Sequence, residues 1–267
     1  MATLEDDEVD IDPFKIILPD EEGEEKKLTT LFDGAAKPQL QKHYIRSIKS
    51  MVVIRQLPSE GLSFQLWPAA TALVKLLDDY LSHLSESPLA TTLTALSNGS
   101  ENGRKLKILE LGSGTGLVGI AAAVTIGANV TMTDLPHVIP NLKFNADANA
   151  DVVARRGGTV DVTPLRWGEA NDMEVIGREF DLVLASDVVY HDHLFEPLIQ
   201  TLRFLLNGGA RGGEKKVFVM AHLRRWKKDS TFFKKAKKLF DVEVLHTDPP
   251  KEGSRIGVVV YAFVGKI

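Results

Sequence analysis

From residue 105 onward the chain alternates β-branched runs with helical ones, and no other feature limits its fold as tightly. The strand-like runs are 105–111, 129–133, 160–165, 180–185 and 216–221; helical spacing marks 117–126, 136–149, 194–206 and 230–240. Strands separated by helices of this length pair in parallel through right-handed crossovers. The last two β runs, 242–246 and 256–264, have no helix between them and are expected to pair antiparallel. The predicted fold is therefore α/β: a Rossmann-like seven-stranded sheet, mostly parallel, closed by a C-terminal antiparallel hairpin.

Upstream, residues 50–58 and 62–66 flank Ser59-Glu60-Gly61 and predict a β-hairpin. Pro68 suits the first position of a helix, and Leu73, Val74, Leu77 and Leu81 follow at helical spacing. The stretch 85–103 is rich in Ser, Thr and Asn, and its second half reads as a loop. Three segments result: an acidic tail at 1–40, a hairpin-and-helix extension at 41–104, and the core at 105–267.

Composition removes several classes of function. With no cysteine there is no disulfide, no thiolate zinc site and no cysteine nucleophile. Residues 1–30 hold eleven Asp/Glu against three Lys, a balance of −8, so a net charge of −4 leaves +4 for the rest. Such a head is expected to stay solvated, because it has too little apolar surface to order itself. No apolar run approaches the ~20 residues of a membrane span, and the acidic start does not resemble a basic targeting signal. The expectation is a monomeric cytoplasmic protein, with the nucleus as the alternative. The histidines, His191-Asp192-His193 included, show no metal-binding spacing, and no metal is expected.

The turn at the end of the first core strand carries the first chemical signal. Residues 106–119 read L-K-I-L-E-L-G-S-G-T-G-L-V-G. Glycines at 112, 114 and 116 let the backbone approach a ligand with no Cβ in the way, just before a helix N-terminus with free N–H groups. Gly114 to Gly119 also spell a dinucleotide fingerprint, with Asp134 about 20 residues beyond. Glu110, two residues before the first glycine, favours S-adenosylmethionine instead: a carboxylate there attracts the cationic end of that cofactor and would repel a pyrophosphate. Asp134 closes the next strand, where it can accept ribose hydroxyls of either cofactor.

The second signal is F-D-L-V-L-A-S-D-V-V-Y at 180–190, which puts Asp187 and Tyr190 just past a strand end, where open α/β sheets bind their ligands. These residues join I-R-Q at 54–56, L-W-P-A-A at 66–70, L-E-L-G-S-G-T-G-L-V-G-I at 109–120, T-D at 133–134 and L-R-W-G at 165–168. In this order the motifs resemble the D-x-x-Y (methyltransferase-21-like) family of seven-strand protein-lysine methyltransferases, over roughly residues 45–265. The resemblance implies S-adenosylmethionine as cofactor and the lysine ε-amine of a non-histone protein, chaperone- or ATPase-like, as acceptor. It implies that Trp67 lies against the cofactor, Gly112, Ser113 and Gly114 contact it, Asp134 holds the ribose, and Trp167 sits beside the adenine. Ser186 matches the position before the motif, and Asp187 and Tyr190 match the mouth where the lysine enters, Asp187 orienting the amine.

Two other readings stay open on sequence alone: transfer to a small molecule or nucleic acid, and an inactive cofactor-binding scaffold. Asp248-Pro249-Pro250-Lys251 lacks the aromatic that would stack on a flipped base and reads as a turn. The eight Lys/Arg of 224–238 are interleaved with aromatics, but Phe232, Phe233, Ala236, Leu239 and Phe240 share a helical face, so the cations read as a solvated face. Nucleic acid is accordingly not the expected partner.

Overall fold

The computed structural model describes residues 38–82, 87–98, 104–206, 216–225, 227–249 and 257–266. The acidic head, the end of the Ser/Asn-rich stretch, Trp226, and Pro250 and Lys251 of the late turn lie outside the described residues. The elements run β1 (Gln39–Ile45), β2 (Ser50–Gln56), α1 (Pro68–Ser82), α2 (Ala90–Asn98), β3 (Lys107–Leu111), α3 (Leu117–Ile126) and β4 (Asn129–Asp134). There follow α4 (Ile139–Ala148), α5 (Ala150–Arg155), β5 (Thr159–Pro164), α6 (Ala170–Ile176), β6 (Leu182–Ser186) and α7 (Phe195–Leu206). The last are β7 (Val217–Leu223), α8 (Asp229–Leu239), β8 (Phe240–Thr247) and β9 (Val258–Gly265).

The seven-stranded sheet has the order β5-β4-β3-β6-β7-β9-β8, parallel except for β9, which runs antiparallel to both neighbours. Side chains of a strand alternate between faces, and the central strands use both. Ile108, Leu182, Leu184, Val219 and Ala221 pack against α1 and α3, whereas Leu109, Leu111, Val183, Ala185, Phe218 and Met220 pack against α7 and α8. Burial on both faces explains why these strands read as continuous apolar runs. Among the described residues no helix is long and apolar enough to cross a membrane.

The N-terminal hairpin differs from the one expected. Residues 62–66 form no strand: Leu62–Phe64 is a single 3-10 turn, and Leu57 N–H donates to the Phe64 carbonyl at 3.0 Å without a ladder following. The partner of β2 is the preceding β1, in register from Gln39–Gln56 to Ile45–Ser50. β1 is exposed over most of its length, so its Q-L-Q-K-H-Y-I carries no alternating apolar signal to read. Three further helices went unforeseen: α2, which anchors Leu93 in the core just after the buried Leu89, and the short α5 and α6.

The other edge of β2 is satisfied by side chains. Asn145 Oδ1 accepts the Arg55 N–H at 2.8 Å and its Nδ2 donates to the Arg55 carbonyl at 3.1 Å. Asn149 treats Val53 the same way, at 2.9 and 2.8 Å. Residues four apart on a helix share a face and alternate residues of a strand share an edge, so the two amides mimic a neighbouring strand. Asn145 also donates to the Thr115 carbonyl at 2.9 Å, tying the hairpin to the glycine turn.

Candidate active site

The strand order reverses between β3 and β6, and at such a point the loops leaving the two strands part to form a crevice. Gly112, Gly114 and Gly116 leave β3 with φ of +60°, +54° and +82°, a region that L-residues with a Cβ rarely enter. Gly112 and Gly114 are half-exposed while Ser113 and Thr115 point inward. A Cβ on Gly112 would stand 3.0 Å from both Trp167 and Val188, and one on Gly114 would stand 3.0 Å from the Ser63 carbonyl. The cradle is thus walled by the loop after β5, the loop after β6 and the segment between β2 and α1.

Asp134 braces this cradle from the end of β4. Its Oδ2 accepts the Gly114 N–H and its Oδ1 the Leu135 N–H, both at 2.7 Å, which leaves one lone pair on each oxygen for a ligand. Burial raises its pKa, and the two N–H donors oppose that rise. Tyr190 stands within electrostatic reach: burial first, and the Asp134 charge second, push its phenol upward, so the hydroxyl keeps its proton at neutral pH. Trp167 and Ser186 are half-buried beside the crevice.

Two predicted contacts are turned away from it. Ser113 Oγ accepts the Thr133 N–H at 3.1 Å, stitching β3 to β4. Glu110 shares the face of Ile108 by strand alternation, and its buried carboxylate accepts the Gly119 N–H in the first turn of α3 at 3.0 Å. Burial holds this carboxyl at about 8, far above its ordinary 4.5. The unfolded chain therefore loses the proton near 4.5 and the folded chain near 8. Between those values folding takes up a proton, so stability falls as pH rises, by at most about 1.4 kcal/mol per pH unit. Glu110→Gln is expected to flatten that decline in urea titrations from pH 5 to 8. Parallel curves for the two proteins would show that Glu110 is not its source.

Asp187 sits just past β6 with φ +59°, a left-handed conformation rare outside glycine. Its Oδ1 accepts the Leu223 N–H at 3.0 Å, and its Oδ2 binds Arg225 Nη2 at 2.6 Å. Both side chains of this ion pair are buried, 5% and 7% exposed. The guanidinium carbon of Arg225 lies 5.0 Å from the centroid of the Trp67 ring, a cation–π distance. Behind the pair, the fully buried His222 places Nδ1 3.7 Å from Asp187 and Nε2 3.2 Å from Asp229. Sequence reasoning missed Arg225, His222 and Asp229. Arg225 fell within the basic run read as a solvated face, although its position just past β7 was the available clue. The lysines of α8 itself, Lys234, Lys235, Lys237 and Lys238, are exposed as expected.

The profile of the lysine methyltransferase family matches residues 47–239, a span that contains the cradle, Asp134, Asp187, Tyr190 and Arg225. The chain belongs to this family. It is 36% identical over 147 residues to the protein N-lysine methyltransferase METTL21A of Danio rerio, covering 55% of this chain and 62% of that protein. The METTL21A of Mus musculus is 36% identical over 157 residues, 59% of this chain and 67% of its own length. EEF1A lysine methyltransferase 3 of Xenopus tropicalis is 35% identical over 119 residues, 45% of this chain and 48% of that protein. The matched segment thus spans between about half and two thirds of these relatives.

Proposed function

We propose that this lysine methyltransferase family member moves a methyl group from S-adenosylmethionine to the ε-amine of a lysine in another protein. The observation that supports this most directly is the contact between cradle and motif: Val188, inside D-x-x-Y, stands against Gly112, so both open on one crevice. The residues fit the cofactor. Gly112 and Gly114 give backbone that an adenosyl group can approach, Asp134 has acceptors for two ribose hydroxyls, and Trp167 offers a flat wall. When bound, the cofactor supplies a methyl group already activated on a sulfonium.

What remains for the chain is to receive and orient an amine. A free lysine has a pKa of about 10.4, so the acceptor must be met without its proton. Asp187 and Tyr190 stand at the mouth as hydrogen-bond acceptors, carboxylate and phenol oxygen each taking an N–H of the neutral amine and leaving its lone pair aimed at the methyl group. Correct placement of two reactants at 3–3.5 Å contributes roughly 7–11 kcal/mol toward a barrier.

The test is transfer of labelled methyl from S-adenosylmethionine into a cell extract, comparing the wild type with Asp134→Asn. A discrete protein band, labelled on lysine by mass spectrometry, is expected. Asp134→Asn is expected to weaken cofactor binding about tenfold or more, since hydrogen bonds to a charged acceptor contribute about 1.5–3 kcal/mol. Label confined to nucleic acid or small molecules would sink the lysine reading, and binding without transfer would indicate a scaffold.

A further inference from the structure

We propose that Arg225 is a positioning residue for the transfer: paired with Asp187, it cancels the carboxylate charge where the target amine arrives, so that the amine is held as a neutral base. The inference rests on the lysine-transfer reading above. A bare carboxylate at the mouth has a disadvantage for this chemistry. It would bind a lysine best as ammonium and raise the pKa of the very amine that must lose its proton. In the structure the carboxylate is not bare. Arg225 Nη2 lies 2.6 Å from Asp187 Oδ2, and both side chains are almost fully buried.

The geometry around the pair keeps it in place. The Leu223 N–H fixes Oδ1 at 3.0 Å, so the carboxylate cannot rotate away from the guanidinium without losing a buried hydrogen bond. The guanidinium carbon also lies over the Trp67 ring, 5.0 Å from its centroid, against the electron-rich face. Among the described residues, the titratable and charged groups around Asp187 are His222 in β7, Arg225 just past its end, and Asp229 of α8 behind His222. Asp134, from the end of β4, acts on the Tyr190 phenol. Of these, Arg225 carries a permanent positive charge and touches Asp187 directly. The pair therefore still accepts a hydrogen bond from the amine through the free lone pairs of the carboxylate, while offering it little net negative charge.

The experiment is the pH profile of transfer, measured with tritiated S-adenosylmethionine and a whole-cell extract, for the wild type, Arg225→Gln and Arg225→Lys. S-adenosylhomocysteine binding, measured by calorimetry, shows that each variant is folded with its cofactor pocket intact. Arg225→Gln is expected to move the alkaline rise in kcat up by about one pH unit. It should lower kcat about tenfold at a fixed pH below that rise, with KM for the extract substrate unchanged or lower. Arg225→Lys, which keeps the charge, is expected to return the wild-type midpoint; this variant still decides the matter if the glutamine variant does not fold. A purely structural role would lower the rate of both variants at every pH without moving the midpoint, and that result overturns the inference. A lysine variant shifted upward like the glutamine variant overturns it as well. If the wild type labels no protein, the transfer reading and this inference fall together, whereas wild-type transfer with unshifted variants removes this inference alone.

Discussion

Asp187→Ala is expected to destabilise the fold by about 3–5 kcal/mol, because it takes a buried carboxylate away from the buried Arg225 guanidinium. The Leu223 N–H loses its acceptor in the same change, and a buried donor without one is itself costly. Urea denaturation at pH 7 measures the total. Asp187→Asn should cost less, since its amide oxygen still accepts the Leu223 N–H. The double variant Asp187→Ala, Arg225→Leu should recover much of the loss, as replacing a buried ion pair by apolar side chains is often neutral. Methyl transfer is expected to fall at least about a hundredfold in all three, because misplacing an acceptor at the reacting centre has effects of that size. If the alanine variant lost less than about 1 kcal/mol, the pair would be behaving like an exposed surface bridge.

Asn145→Ala is expected to destabilise by about 3 kcal/mol without removing any group from the crevice. Three backbone groups lose a partner at once: the Arg55 N–H, the Arg55 carbonyl and the Thr115 carbonyl. Each buried orphan costs about 1–3 kcal/mol, reduced here for the Arg55 carbonyl because Asn141 also approaches it at 3.4 Å. Asn145→Asp makes the sharper comparison, as it keeps an acceptor for the Arg55 N–H and loses the donor to both carbonyls. Thermal unfolding of the two variants should show both below the wild type. The segment that follows β2 carries Ser63 over Gly114, so affinity for S-adenosylhomocysteine is expected to drop alongside stability. An unchanged affinity would show that the hairpin does not hold that wall of the cradle in place.

The centre of the core sheet was legible because β3, β6 and β7 are buried on both faces and so read as continuous apolar runs. The terminal antiparallel pair followed from the missing helix between 246 and 256. The N-terminal hairpin was not legible, for β1 is an exposed edge whose sequence is polar at alternate and at consecutive positions alike. At the candidate site, the placement of glycines 112 and 114, Asp134, Asp187 and Tyr190 at or just past strand ends was readable from motif spacing. The direction of Glu110 was readable only from the two-residue period it shares with Ile108, which overrides its nearness to the turn in sequence. Arg225 was hidden by composition: a cation among cations looks solvated until a strand end carries it inside. The asparagines at 141, 145 and 149 were invisible for a related reason, since a helix with polar residues four apart looks like one that faces water.

The left-handed backbone at Asp187 narrows the alphabet of that position independently of any chemistry. Glycine, asparagine and aspartate enter this conformation with little strain, and of the three only aspartate is anionic. Drift away from activity would therefore pass most easily to asparagine or glycine, leaving the fold's outline untouched. A descendant of this chain carrying either residue there, with Arg225 replaced by something uncharged, is expected to have lost the proposed transfer.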